Sequence, residues 1–347
     1  MKSKSKINYI ESFPNGEFSI NHIKGEGKTL LSAIDSEYTK KNYNENICIS
    51  WQASVLNMIT GENQSAIKYV DYENEERLTL AKVLFFIFAV GGVKKSEING
   101  HHVILIAHFF SAEFSMLKDR EVIFPFLEIL YKTLITFNPI KLNFSDDEEN
   151  EYNITLEVAD TMILLPPSHR SLYNATSLLD CKYHKKDLTT SEKENMLNLL
   201  HENKTKFEEY AIHDAVITLM LFIKLQYILN SINGTETTRY KTIGSATVKH
   251  FQLFVKSNFG EDFFKSQFSK KNEIYQKGLS LAKRSYMGGL NTSFFIGEMD
   301  EELFLDIDYS SAYSCVMGLI QEGDYGEEIE FADQSLKTIY NLGANND

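Results

Sequence analysis

Apolar runs and their spacing divide the chain into alternating elements. TLLSAIDSEY (29–38) and ICISWQASVL (47–56) predict strands rich in buried residues. EERLTLAKVLFFIFAV (75–90) predicts a helix by its length and apolar spacing, and HVILIAHFF (102–110) another strand, with a helix from Ser111. FPFLEILYKTLI (124–135) reads equally as strand or helix. DTMILLPP (160–167) predicts a short strand stopped by two prolines. Thr190 and Ser191, followed by Glu192 and Glu194, mark a helix start, and EEYAIHDAVITLMLFIKLQYIL (208–229) predicts a long helix. The polar stretch SINGTETTRY (231–240) suggests a boundary; a segment rich in lysine and phenylalanine follows, and a new strand pattern begins near Asn291. Strands interleaved with helices predict an α/β layer structure with carboxylates at strand ends.

Composition narrows the class. The chain has 347 residues, room for about two domains. Its 43% hydrophobic and 24% charged residues exclude collagen-like, disordered and disulfide-scaffold proteins. Cys48, Cys181 and Cys315 lie far apart with no CxxC pair, which points to a reducing, cytoplasmic setting and no cysteine-built zinc site. The start, MKSKSKINYIESF, is basic but lacks the apolar core of a signal peptide. The runs 83–93 and 215–223 are too short to span a bilayer, so no membrane partner is expected.

The net charge of −13 argues against a polyanionic partner until its distribution is considered. Residues 291–347 carry 13 acids and one lysine, whereas residues 241–290 carry nine Lys/Arg and three acids. A basic stretch of net +6 thus sits beside an acidic segment of net −12. Either the surface is unevenly charged and solvated, or a basic track for a polyanion lies next to carboxylates that hold metal ions.

Two apparent motifs carry little. GEGKT (25–29) lacks the glycine a phosphate loop needs five residues earlier, where His22 stands, and a strand pattern follows it. His101, His102 and His108 lack HExxH spacing and are expected to be hydrogen-bonded or solvated. The informative residues are acids. Asp35 and Glu37 are two apart on a strand and point to one side. Paired buried carboxylates need compensation, and a hard divalent cation supplies it through oxygen ligands. Glu113 lies just beyond a second strand. Tyr210 and Asp214, four apart, share a helix face, where a tyrosine hydroxyl can orient an attacking water.

This order of motifs resembles the three exonuclease motifs of the proofreading domain of family B DNA polymerases, of the DEDDy type. More narrowly it is similar to the protein-primed branch of phages and linear plasmids. Asp35 and Glu37 match the first motif, Glu113 stands where the second usually has Asp, and Tyr210 and Asp214 match the third. SLYNA (171–175) fits the Ser/Thr-Leu-x-x-hydrophobic motif that contacts single-stranded DNA and the terminal protein in this branch, which assigns Ser171 and Leu172 to DNA binding. KKDL (185–188) fits Lys-x-x-hydrophobic loosely and makes Lys185 a further contact. SYMGG (285–289) matches YxGG, with Tyr286, Gly288 and Gly289 at the DNA and Lys283 and Arg284 just before. FLDIDYSSAYSCVMG (304–318) resembles polymerase motif A, with Ser314 in place of the usual proline; Asp308 would bind metal, and Ser311 and Tyr313 the incoming nucleotide.

The resemblance implies an RNase H-like exonuclease domain, a mixed sheet flanked by helices, followed by the beginning of a polymerase palm. It divides the chain into an N-terminal segment (1–28), the exonuclease domain (29–235), a basic linker with YxGG (236–290) and a partial palm (291–347). It implies two Mg²⁺ or Mn²⁺ ions, roughly 4 Å apart, held by Asp35, Glu37, Glu113 and Asp214. The implied activity is removal of 3′-terminal nucleotides from single-stranded DNA in a host cytoplasm. Primer–template DNA and a terminal protein primer are further implied partners, with dNTP only if the rest of the palm is present. No KxxxNSxYG-like helix or DTD-type motif follows motif A, so primer extension is not expected from this chain alone. The alternatives are a free-standing 3′–5′ exonuclease of DNA or RNA, and a non-catalytic fragment that binds DNA or a terminal protein.

Overall fold

The computed structural model describes residues 27–41, 45–178, 185, 188–235 and 238–268. The chain forms an α/β structure built on a six-stranded mixed sheet. Its first strands are β1 (Thr29–Lys40), β2 (Asn46–Asn57) and β3 (Asn63–Tyr69), an antiparallel meander. Helix α1 (Leu80–Val90) crosses to β4 (His102–Ala107), which lies parallel to β1. A short helix α2 (Phe110–Ser115) and a hairpin of β5 (Glu128–Leu130) and β6 (Thr133–Ile135) follow. Strands β7 (Ile140–Ser145) and β8 (Glu151–Asp160) complete the sheet in the order β3-β2-β1-β4-β8-β7, with β8 parallel to β4. Helices α3 (Leu172–Leu178), α4 (Thr190–Glu194), α5 (Met196–Glu202), α6 (Lys204–Asn233), α7 (Ile243–Phe259) and α8 (Glu261–Phe268) make up the rest. The chain divides into two compact units between Phe254 and Val255.

Strand alternation sorts β1 between two cores. Leu30 and Ile34 pack with Leu84 and Ile87 of α1 on one face. Leu31 and Ala33 pack with Ile217 and Leu221 of α6 on the other. Each such side chain, fully buried, contributes about 1.5–3 kcal/mol. Continuing the alternation turns Asp35 and Glu37 toward α6. That helix is long and apolar enough by composition to cross a membrane, yet Tyr210, Ala211, Asp214, Ile217 and Leu221 are buried in this unit.

Several elements differ from the sequence-based expectation. Residues 161–164, expected as a strand, form a 3₁₀ turn; the strand is β8, which ends where that turn begins. The prolines at 166 and 167 had suggested a strand end, but the break comes earlier, at Asp160, whose side chain caps the turn by accepting from Met162 N at 2.8 Å. Residues 108–110 leave the strand early because Phe109 adopts a left-handed φ of 79° that starts α2. Helix α1 starts at Leu80 rather than 75, since Thr79 Oγ1 accepts from Lys82 N and Asp119 Oδ1 accepts from Leu80 N. The stretch 124–135, undecided between helix and strand, is a 3₁₀ turn followed by the hairpin. The capping box of α4 uses Thr189 with Glu192, one residue before the expected start.

Candidate metal centre

Three elements bring the acids together. β1 supplies Asp35 and Glu37, α6 supplies Asp214, and α2 supplies Glu113. One carboxylate oxygen from each of Asp35, Glu37 and Asp214 lies within 4.8 Å of the other two. Glu113 stands outside that group of three but close enough to Asp35 for each to shift the other's ionisation. The β1–β2 register shifts between Glu37 and Tyr38, where Ile49 is the extra residue on β2. Such a bulge bends the strand beside the acids, a common device near active sites.

The electrostatics oppose ionisation. Burial, followed by the nearby Asp214 charge, pushes the Asp35 carboxyl up to about 7, against the pull of Lys185. Burial and then the Asp35 and Asp214 charges hold Glu37 well above the ordinary carboxylate range. Burial and then Asp35 do the same to Glu113. Glu113 Oε2 and Asp214 Oδ1 are buried with no hydrogen-bond partner among the described residues. Clustered carboxylates with unpartnered, buried oxygens are a hard-oxygen donor set that suits a divalent cation such as Mg²⁺ or Mn²⁺.

Lys185 offsets part of this charge. Its Nζ lies 2.9 Å from Asp214 Oδ2 and 5.5 Å from the centre of the Tyr210 ring. Burial works against its charge, but Asp214 and Tyr210 hold the ammonium above its ordinary value. Tyr210 is buried one helical turn before Asp214, and desolvation, then Asp214, raises its phenol, so the hydroxyl stays protonated. Ser171 Oγ accepts from Asn174 N at 3.2 Å at the start of α3. Leu172 is buried in the core shared with α6, so its side chain anchors that helix rather than facing solvent. Tyr286, Gly288, Gly289, Asp308, Ser311 and Tyr313 lie outside the described residues.

Asp160 is the acid that sequence reasoning passed over. It is fully buried and accepts from Phe109 N at 3.1 Å, Phe110 N at 2.7 Å, Met162 N at 2.8 Å and Thr133 Oγ1. It therefore clamps the left-handed turn that launches α2 and Glu113. The signal is present in the sequence: Asp160 follows the apolar end of LEVAD as Asp35 follows that of LLSAID, but β8 ends at Asp160 instead of starting there, whereas β1 runs on past Asp35 to Lys40. The three histidines are structural: His101 Nδ1 meets Ile98 O at 2.9 Å, His102 Nε2 lies 3.2 Å from Glu157, and His108 bridges Thr161 Oγ1 and Arg170 O. No family model matches this chain, and no curated protein is found to be similar to it.

Proposed function

We propose that this chain carries a metal-dependent 3′–5′ exonuclease site acting on single-stranded DNA, within the N-terminal portion of a family B DNA polymerase of the protein-primed branch. The observation that carries the reading is the meeting of Asp35, Glu37 and Asp214 within 4.8 Å, with Glu113 near enough to perturb Asp35. The sheet order and strand directions support an RNase H-like fold for this domain: an antiparallel meander whose first strand runs parallel to the next two.

Asp35, Glu37, Glu113 and Asp214 would hold Mg²⁺ or Mn²⁺. A divalent cation held there supplies Lewis-acid stabilisation of charge on the scissile phosphate and on the departing 3′-oxygen. Tyr210, neutral and facing the same side of α6 as Asp214, donates a hydrogen bond that orients the attacking water. Lys185 holds Asp214 in place through their ion pair. Ser171, at the exposed start of α3, meets the single strand, with Leu172 fixing its position from below.

The test is a 5′-labelled single-stranded oligonucleotide incubated with Mg²⁺ or Mn²⁺. The expected result is stepwise shortening from the 3′ end, and a loss of several orders of magnitude when Asp35 and Asp214 are both changed to Ala. Equal degradation by the double variant overturns the assignment. A second reading, nucleic-acid binding without cleavage, is favoured by the Lys185 ammonium already paired with Asp214; tight binding with no shortening under either metal selects it.

A further inference from the structure

The β5–β6 hairpin has a two-residue turn, Tyr131 and Lys132, with φ of 49° and 70°. Positive φ at both central residues suits Asn-Gly and is unfavourable for a tyrosine and a lysine. A strained tip that holds a large ring in solvent calls for a reason beyond the turn. Tyr131 is 68% exposed, and the Arg170 guanidinium lies 4.4 Å over its ring. Arg170 Nε is buried with no hydrogen-bond partner among the described residues. A largely exposed ring with a guanidinium over it offers stacking and phosphate binding together.

Both members are tied to the segment leading into the carboxylate cluster. Ser111 Oγ donates to Lys132 O at 2.6 Å, and His108 Nε2 lies 2.8 Å from Arg170 O. Residues 108–111 precede Glu113 by less than two helical turns. Phe109, between them, is also left-handed and 37% exposed.

We propose that Tyr131 and Arg170 form a subsite for an unpaired nucleotide beside the carboxylate centre, with the ring stacking on its base and the guanidinium meeting its phosphate. The subsite rests on the nuclease reading for its ligand class, but its test does not depend on cleavage. The probe is a fluorescein-labelled twelve-residue oligothymidylate, measured by anisotropy with the full chain in EDTA, beside an abasic strand of equal length.

Tyr131→Asn and Tyr131→Gly both suit the positive φ, so each should unfold at a higher temperature than the unsubstituted chain. Each should nevertheless bind oligothymidylate about tenfold more weakly, within the range that loss of one stacked base produces, while the abasic strand changes little. Arg170→Ala should weaken both strands and reduce the salt slope by about 0.7, one phosphate's share on a single strand. Affinity for oligothymidylate within twofold of the unsubstituted chain in both Tyr131 variants overturns the subsite, as does failure of the unsubstituted chain to bind either strand. Failure of the carboxylate reading registers separately, as metal-dependent shortening that survives the Asp35 and Asp214 substitutions.

Discussion

At Asp35, as at Glu37, burial and neighbouring carboxylates oppose ionisation, with Lys185 as the cation that pulls the other way. Function and stability therefore pull apart at this residue. Asp35→Asn keeps the shape and removes the repulsion. It should raise the unfolding temperature in EDTA by roughly 2–4 °C, the shift that about 1 kcal/mol makes in a domain of this size. Added Mg²⁺ or Mn²⁺ should stabilise the unsubstituted chain and the Asn variant less, because ligand binding to the native state raises its stability. Thermal scans with and without the cation check both signs; a lower unfolding temperature in EDTA would refute the charge argument. Asp35, Glu37, Tyr210 and Asp214 were legible in the sequence because two-residue spacing on a strand and four-residue spacing on a helix fix a face without tertiary information. Asp160 and the Tyr131–Arg170 pair were not. Apart from Met162, the partners of Asp160 lie 27 to 51 residues away, the members of the pair are 39 apart, and a Tyr-Lys turn carries no hairpin signal in its composition.

Elements hold the acids only as firmly as their ends are fixed, and α2 is too short to hold itself. Its start depends on the Asp160 carboxylate, which satisfies the orphaned amides of Phe109 and Phe110 with two separate oxygens. Asp160→Asn places an amide nitrogen where one oxygen accepted. The variant should lose about 3 kcal/mol, in the range of hydrogen bonds to a charged group, when measured by urea unfolding. Because α2 then loses its fixed start, cleavage should fall further than stability alone explains under conditions where the variant is fully folded. Normal cleavage in a folded variant would show that Glu113 is positioned by something else. The main strands and α6 were visible as long apolar patterns, and α6 extends beyond its expected span at both ends because Asn203 caps its start and Gly234 its finish. β3, β7 and most of β8 were missed for a physical reason. NQSAIKY and IKLNFS are short strands at the two edges of the sheet, and EYNITLEVAD begins with alternating exposed polar residues, so neither produces a continuous apolar run.

Across the sheet, the α6-facing side carries a charge cluster at each end. Leu31, Ile104 and Glu157 lie side by side in register, four residues along β1 from Asp35. Among the described residues, Lys185 is the cation paired with the acids around Asp35, whereas Glu157 has Arg239 at 3.1 Å and Lys241 at 3.6 Å, with the His102 ring at 3.2 Å. Burial opposes ionisation of Glu157, but the close approach of the His102 ring and the Arg239 and Lys241 charges outweigh it and bring the carboxyl down to about 2. Lys241 also donates to Thr136 O at 2.8 Å, and Gln226 of α6 bonds both the N–H and the carbonyl of Tyr240. Glu157 thus ties the segment leaving α6 back onto β8 and β4. A carboxyl whose folded value lies below its ordinary 4.5 gives stability that is present above that value and is lost as pH falls toward about 2. Glu157→Gln leaves the half-buried Arg239 and Lys241 without this anion and should cost about 3 kcal/mol at pH 7. The stability difference between the unsubstituted chain and this variant should be constant above pH 5 and shrink steadily between pH 4.5 and 2, as followed by circular dichroism in urea. A difference that stays constant through that range would mean that the cluster acts through packing, and the charges would have no part in holding the far end of α6 to the sheet.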